Sequence, residues 1–151
     1  MIEISGVKSL HRVVYVSQAT QDMKISQAEF VAYILAKASA FNEPLQVTGA
    51  LLACDGWFLQ VLEGPRINVE KVLQRIYADR NHKDIRRLWS GPIECRQFAN
   101  WSMCANTFSS RDAEIVDVLR TSSGFDGDRI GLKSAMKLLL TVCQLQIGVT
   151  P

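Results

Sequence analysis

Hydrophobic and polar positions change period several times along this chain, and each change marks an element. Leu10-His-Arg-Val-Val-Tyr-Val-Ser17 is rich in β-branched and aromatic residues and reads as a strand. Ser26-Gln-Ala-Glu29 has the spacing of a capping box, in which each side chain satisfies the other residue's backbone donor at a helix start. Phe30, Ile34, Ala38 and Phe41 then recur at helical spacing, and Pro44 ends the helix. Gln46–Cys54 and Trp57–Glu63 are apolar runs parted by Asp55-Gly56, a strong hairpin signal because both turn residues need a positive φ. Pro65 opens a second helix, whose Val69, Val72, Leu73 and Ile76 make a stripe suited to a sheet. Ile85–Trp89 and Ile93–Phe98 read as extended segments broken at Gly91-Pro92, and Trp101–Phe108 as a last strand.

The order β-α-β-β-α-β-β predicts an α+β sandwich with its helices on one sheet face. Beyond Phe108 the texture changes. Arg111–Arg120 predicts a short helix and Thr121–Gly131 a turn-rich linker, before Leu132, Ala135, Met136, Leu139 and Cys143 mark a second amphipathic helix. These two helices are too small for a domain, so residues 109–151 are expected to cap the free sheet face or to join two copies. Residues 1–9 read as an N-terminal extension.

Composition narrows the function classes. Seventeen Lys+Arg against fifteen Asp+Glu leave a net charge of +2 over 151 residues, without a basic run, which argues against nucleic acid as the partner. No stretch approaches the roughly 20 apolar residues of a membrane span, since the longest candidate, Leu138–Val149, holds Gln144 and Gln146. The N-terminus lacks the pattern of a signal peptide, so a cytoplasmic chain is expected. Cys54, Cys95, Cys104 and Cys143 include no C-x-x-C, and His11 and His82 are the only histidines, so neither disulfides nor a metal site is expected.

Several polar residues fall where apolar ones are expected. In the strand from Trp57, alternation puts Phe58, Gln60 and Leu62 on one face and Trp57, Leu59 and Val61 on the other. Both faces are apolar, so the strand is central and Gln60 is a buried amide. Either it bonds neighbouring backbone, or it faces a ligand with two donors and two acceptor lone pairs. Tyr15 shares a strand face with Val13 and Ser17, ordinarily as a packed ring with a tied hydroxyl. Asn42 falls where a helix C-cap is expected. On the second helix, at 100° per residue, Arg75, Asp79 and His82 fall within about 60° of one another, beside the Val72, Leu73 and Ile76 stripe. Such a rail is either a solvated charge ladder or the polar wall of a groove between the two helices. Trp101 and Met103 share one face of the last strand, with core packing as the ordinary reading.

Taken together, Arg12-Val-Val-Tyr-Val-Ser17, Asn42 with Val47-Thr-Gly49, Phe58-Leu-Gln-Val-Leu-Glu-Gly64, Arg75-Ile76 with Asp79 and His82, and Trp101-Ser-Met103 resemble the BLUF domain, a blue-light sensor that uses FAD. The resemblance covers residues 10–108. It implies a ferredoxin-like fold with a five-stranded mixed sheet, two helices on one face, and FAD held noncovalently between them. Tyr15 and Gln60 match the family's photoactive pair, and Asn42 the residue at the isoalloxazine carbonyl edge. Arg75, Asp79 and His82 match positions near the ribityl–phosphate side, and Trp101 and Met103 the strand associated with the light state. The chain departs from the family in Asp79-Arg-Asn-His82, where D-x-R-H is more usual, and in Gln46, where a glycine often precedes the I-T-G.

The resemblance implies a photoreceptor rather than an enzyme. Light would move an electron and a proton from Tyr15 and rearrange the Gln60 hydrogen bonds. The change would pass to a separate effector, such as a cyclic-di-GMP phosphodiesterase or a response-regulator-like protein. A homo-oligomer is expected, with Leu132–Cys143 as a homo-oligomer or partner contact or else docked on the sheet face. The rival readings are a small ferredoxin-like hydrolase of the acylphosphatase kind, whose G-x-V-Q-G-V loop is missing, and an interaction module without a chromophore.

Overall fold

The computed structural model describes residues 9–20, 26–99, 104–108 and 130–149. Strand β1 (Leu10–Ala19) leads to helix α1 (Gln27–Phe41), then to β2 (Thr48–Cys54) and β3 (Trp57–Pro65). Helix α2 (Arg66–Ala78), β4 (His82–Ile93), β5 (Cys104–Phe108) and helix α3 (Leu132–Val149) complete the described elements. One five-stranded sheet forms in the order β4-β1-β3-β2-β5, antiparallel throughout except for the parallel β2–β5 pair. This is the α+β, ferredoxin-like arrangement the sequence implied.

Local chemistry accounts for the main junctions. The Ser26 hydroxyl accepts from the Glu29 N–H at 3.1 Å while the Glu29 carboxylate accepts from the Ser26 N–H, also at 3.1 Å, closing the capping box. Asp55 and Gly56 have φ of 51° and 87°, so the β2–β3 hairpin turns through the positive-φ pair its dipeptide suggested. β2 and β3 then approach so closely that a Cβ on Gly49 would lie 2.0 Å from the Val61 carbonyl oxygen. That contact gives a physical reason for the glycine of Val47-Thr-Gly49.

Alternation along the central strands divides the core into two layers. Val13, Tyr15, Leu51, Phe58 and Leu62 face α1 and α2, meeting Phe30, Val31, Ala38, Val69, Val72 and Leu73. Val14, Val16, Leu52, Leu59 and Val61 face the other way, onto Phe98 and onto Ala135, Leu138, Leu139 and Cys143 of α3. Helix α3 therefore docks on the sheet face that α1 and α2 leave open.

Three expectations needed correction. β4 runs unbroken through Gly91-Pro92, with Gly91 paired to Arg12 and Pro92 to His11. It is an edge strand, where the missing proline N–H can face away from the sheet. The stretch Ile93–Phe98 is not a strand beyond Ile93, because its backbone donors turn to a carboxylate: Gln97 and Phe98 N–H donate to Glu63 Oε1 at 3.0 and 2.9 Å. Finally, α2 stops at Ala78, so Arg75, Asp79 and His82 do not share one helical face. Asp79 is extended at φ −73° and ψ 128°, and its Oδ1 accepts from the backbone and side-chain nitrogens of Asn81 at 2.8 and 2.9 Å. His82 begins the next strand.

Among the described residues no helix is long and apolar enough to cross a membrane. Cys54, Cys95 and Cys143 are free thiols. The predicted helix Arg111–Arg120, most of the linker Thr121–Gly131, and Trp101 and Met103 lie outside the described residues.

Candidate functional site

The site begins with strand register. β1 and β3 pair without interruption from Leu10 opposite Pro65 to Gln18 opposite Trp57, which sets Tyr15 directly across from Gln60. Both are buried, at 2% and 4% exposure, and both face the helical layer by strand alternation. The Tyr15 hydroxyl donates to Gln60 Oε1. Burial pushes the Tyr15 pKa well above its usual value, with Tyr77 and Asp79 adding to the effect, so the phenol keeps its proton.

Between α1 and α2 lies a cleft of ≈ 300 Å³, walled by Ile34, Ala38, Val72 and Ile76. A separate recess of ≈ 20 Å³ lies between Tyr15, Phe30, Leu51, Phe58, Ile76 and His82, sharing Ile34 and Ile76 with the cleft. Asp79 lines both parts. Gln60 meets the recess through its bond to Tyr15.

Asn42 is placed in the cleft by the end of α1. Its N–H closes the last helical turn onto the Ala38 carbonyl at 2.8 Å, and its own carbonyl accepts from Leu45 and Val47 at 3.1 and 3.0 Å. Its backbone therefore does the capping, while its 5%-exposed amide lines the cleft. At the mouth, the Arg75 guanidinium lies 3.9 Å from the centre of the Phe41 ring. Lys37 Nζ lies 5.0 Å from that of Tyr33.

The structure thus places Asn42, Arg75 and Asp79 on the cleft and Tyr15, Asp79 and His82 on the adjoining recess, with Gln60 hydrogen-bonded to Tyr15, although along different elements than the helical rail implied. His82 has both ring nitrogens occupied by protein. Nε2 lies 2.8 Å from the Ile76 carbonyl, which can only accept, so Nε2 donates there. That leaves Nδ1 able to accept from the Ser17 hydroxyl at 2.7 Å. His82 thereby ties β4 to β1 and to the end of α2, and presents its ring to the recess.

Sequence reading missed Tyr33 and Lys37 as cleft residues, although their four-residue spacing on α1 matches one turn. It also missed the polar centre on the opposite sheet face. There Glu63, fully buried, accepts from Arg12 Nε at 2.7 Å as well as from the Gln97 and Phe98 N–H groups. Arg96 donates to the Glu63 backbone carbonyl at 3.2 Å and to Thr48 Oγ1 at 2.8 Å. An acid inside an apolar strand was the available signal.

The donor set fits a flavin nucleotide. Opposed aliphatic walls suit a flat ring system, the buried Asn42 amide suits its imide edge, and the Lys37 and Arg75 cations suit phosphate. Fold and site together define a ferredoxin-like domain with a ligand cleft between its two helices.

Residues 10–104 match the BLUF family, sensors of blue-light using FAD, and the chain belongs to that family. It is 34% identical over 107 residues to the photoactivated adenylate cyclase subunit beta of Euglena longa. That alignment covers 70% of this chain but 12% of the cyclase subunit, so the chain spans a small part of the length of this relative. Among solved structures, BlsA in its photo-activated state superposes with a TM-score of 0.75 at 25% identity, over 87% of this chain and 94% of that one. The dark state of BlrB, a BLUF protein, gives 0.71 at 26% identity over 92% and 98%.

Proposed function

We propose that this chain is a cytoplasmic blue-light receptor that holds FAD noncovalently between α1 and α2, with Tyr15 and Gln60 as its photoactive pair. A bound flavin supplies the blue absorption and, once excited, a strong one-electron oxidant. Tyr15 is the reductant at hand, a phenol kept protonated by burial and already hydrogen-bonded to an acceptor. As it gives up an electron, its proton has a path along the bond to Gln60 Oε1. The Gln60 amide, bonded to the phenol, is the group that would be left rotated or tautomerised once the phenol is restored. A half-turn exchanges a C=O for an NH₂ at each end of the amide, so the Tyr15 oxygen would accept where it now donates. No net chemistry remains, and the output is conformational.

In this reading Asn42 holds the ring's carbonyl edge. Arg75 and Asp79 attend the ribityl–phosphate side, and His82 holds the recess in shape through Ser17 and Ile76. Trp101 and Met103 carry the changed state toward β5, whose parallel pairing with β2 adjoins the Leu51–Gln60 row. The signal passes to a separate effector protein, which a cyclic-di-GMP phosphodiesterase or a response-regulator-like protein would satisfy, with a second copy of the chain as a further partner. Such a partner responds only if its affinity differs between the two states.

The observation that carries the proposal is the buried Tyr15–Gln60 hydrogen bond, with Tyr15 lining a recess that shares Ile34, Ile76 and Asp79 with the Asn42-lined cleft. An absorption spectrum before and after blue light tests it. A flavin spectrum that moves slightly to the red and recovers in the dark is expected. Bound flavin without a shift would refute the Tyr15–Gln60 role, and no flavin after incubation with FAD would refute the receptor reading.

A further inference from the structure

Positive charge is gathered on one margin of the molecule. Residues 66–87 hold seven of the seventeen Lys+Arg but three of the fifteen Asp+Glu, so the rest of the chain is net negative. Arg75 belongs to the cleft, and Asp79 is taken up by Asn81. Arg66, Arg80, Lys83 and Arg87 are exposed, on α2, on the edge strand β4 and on the turn between them. Arg87 joins the two elements, its Nε donating to the Tyr77 hydroxyl at 2.9 Å. That bond uses one of five guanidinium donors, so it fixes the group while leaving donors to grip a carboxylate. Arg66 and Arg87 lie close enough to act together on His11, whose pKa is lowered by burial and then by those two charges, with Glu70 opposing. Ile67 and Tyr77, 71% and 43% exposed, add apolar surface along α2. Arg87 also stands opposite Tyr15, between the two register shifts of the β1–β4 ladder.

We propose that this basic margin docks an acidic segment of a separate protein, with Arg66, Arg80, Lys83 and Arg87 on its carboxylates and Ile67 and Tyr77 against an apolar side chain. The sign of the margin sets the sign of the partner. A protein fits it better than a polynucleotide, because Glu70 and Asp84 interrupt the cations and because arginine beside an exposed aromatic ring is the makeup of a protein contact. Its use as the output surface, one strand away from Tyr15, rests on the receptor reading.

The flavin-loaded chain is titrated, in the dark and under blue light, with a rhodamine-labelled peptide rich in glutamate and leucine, and binding is read by fluorescence anisotropy. Binding that weakens with salt and differs between dark and light is expected. Arg66→Glu with Arg87→Glu, and separately Arg80→Glu with Lys83→Glu, should each weaken it on the order of tenfold, as two exposed charge pairs are lost. Lys133→Glu with Lys137→Glu, the same change of charge at exposed positions of α3, should leave it unchanged. No binding, an equal loss in the α3 variant, tighter binding to duplex DNA or to phosphatidylglycerol vesicles, or salt-sensitive self-association that the peptide does not displace would overturn the proposal. Equal affinities in dark and light, with the flavin shift present, would overturn the output role. Absence of the flavin shift would refute the receptor reading instead, and the charge reversals then decide the dock by themselves.

Discussion

Replacing Glu63 with leucine should be among the most damaging single changes away from the cleft. The substitution conserves approximate volume but removes the acceptor for three donors: Arg12 Nε and the N–H groups of Gln97 and Phe98. Phe98 is wholly buried, so its orphaned N–H alone is worth about 1–3 kcal/mol. The Arg12 side chain is 15% exposed and would be left as a largely desolvated cation. Breaking a buried ion pair from one side costs about 3–5 kcal/mol, and we expect a loss in that range. For a chain of this length it corresponds to a Tm lowered by roughly 10 °C. Urea unfolding gives the assay, read as a lower midpoint at unchanged slope. Glu63→Gln, which keeps one acceptor oxygen, should lose about half as much. Adding Arg12→Met to Glu63→Leu should recover at least about 1 kcal/mol, since the stranded cation is then gone. A loss below about 1 kcal/mol for Glu63→Leu would refute the claim that this carboxylate anchors the segment after β4.

Other perturbations probe the site itself. Gln60→Leu should retain bound flavin and abolish the light-induced shift in the absorption spectrum, while orphaning the Tyr15 hydroxyl at about 1–3 kcal/mol of stability. Tyr15 ionises near 10.0 when unfolded and well above that when folded, so the folded state holds the extra proton and stability must fall as pH rises past about 10. The slope from this group is about 1.4 kcal/mol per pH unit, and alkaline unfolding of Tyr15→Phe should lack it. Gln46 sits at φ 59°, a left-handed conformation, so Gln46→Gly should raise stability by about 0.5–1 kcal/mol in thermal unfolding.

Much of the arrangement was legible because period-2 and period-3.6 patterns are local. The hairpin at Asp55-Gly56, the capping box at Ser26 and the two-faced burial of β3 need nothing beyond their own neighbourhoods. Gln60 was legible as an anomalous buried amide, whereas Tyr15 reads locally as an ordinary packed ring; their pairing came from the family resemblance, and the strand register now supplies its physical basis. What escaped depends on distant partners. Nothing local distinguishes a strand from a stretch whose N–H groups go to a carboxylate 34 or 35 residues away, as at Gln97 and Phe98. Likewise Asp79 and His82 fit a continuing helix until Asn81 competes for the Asp79 carboxylate. Asn81 stands in the Asp79-Arg-Asn-His82 departure from the family pattern. The other departure, Gln46, carries the positive φ that explains a glycine's usual presence there.

The two flanks of β1 differ mechanically. Toward β3 its ladder is regular, whereas toward β4 the register shifts between Val14 and Tyr15 and again between Val16 and Gln18. Irregular pairing bends a strand and weakens the local ladder. β1 and β3 therefore behave as one stiff ribbon carrying Tyr15 and Gln60 together, and β4 is the compliant rail beside it. The regular β1–β3 ladder is what sets the phenol and amide face to face, and the departures from regularity fall on the β4 side.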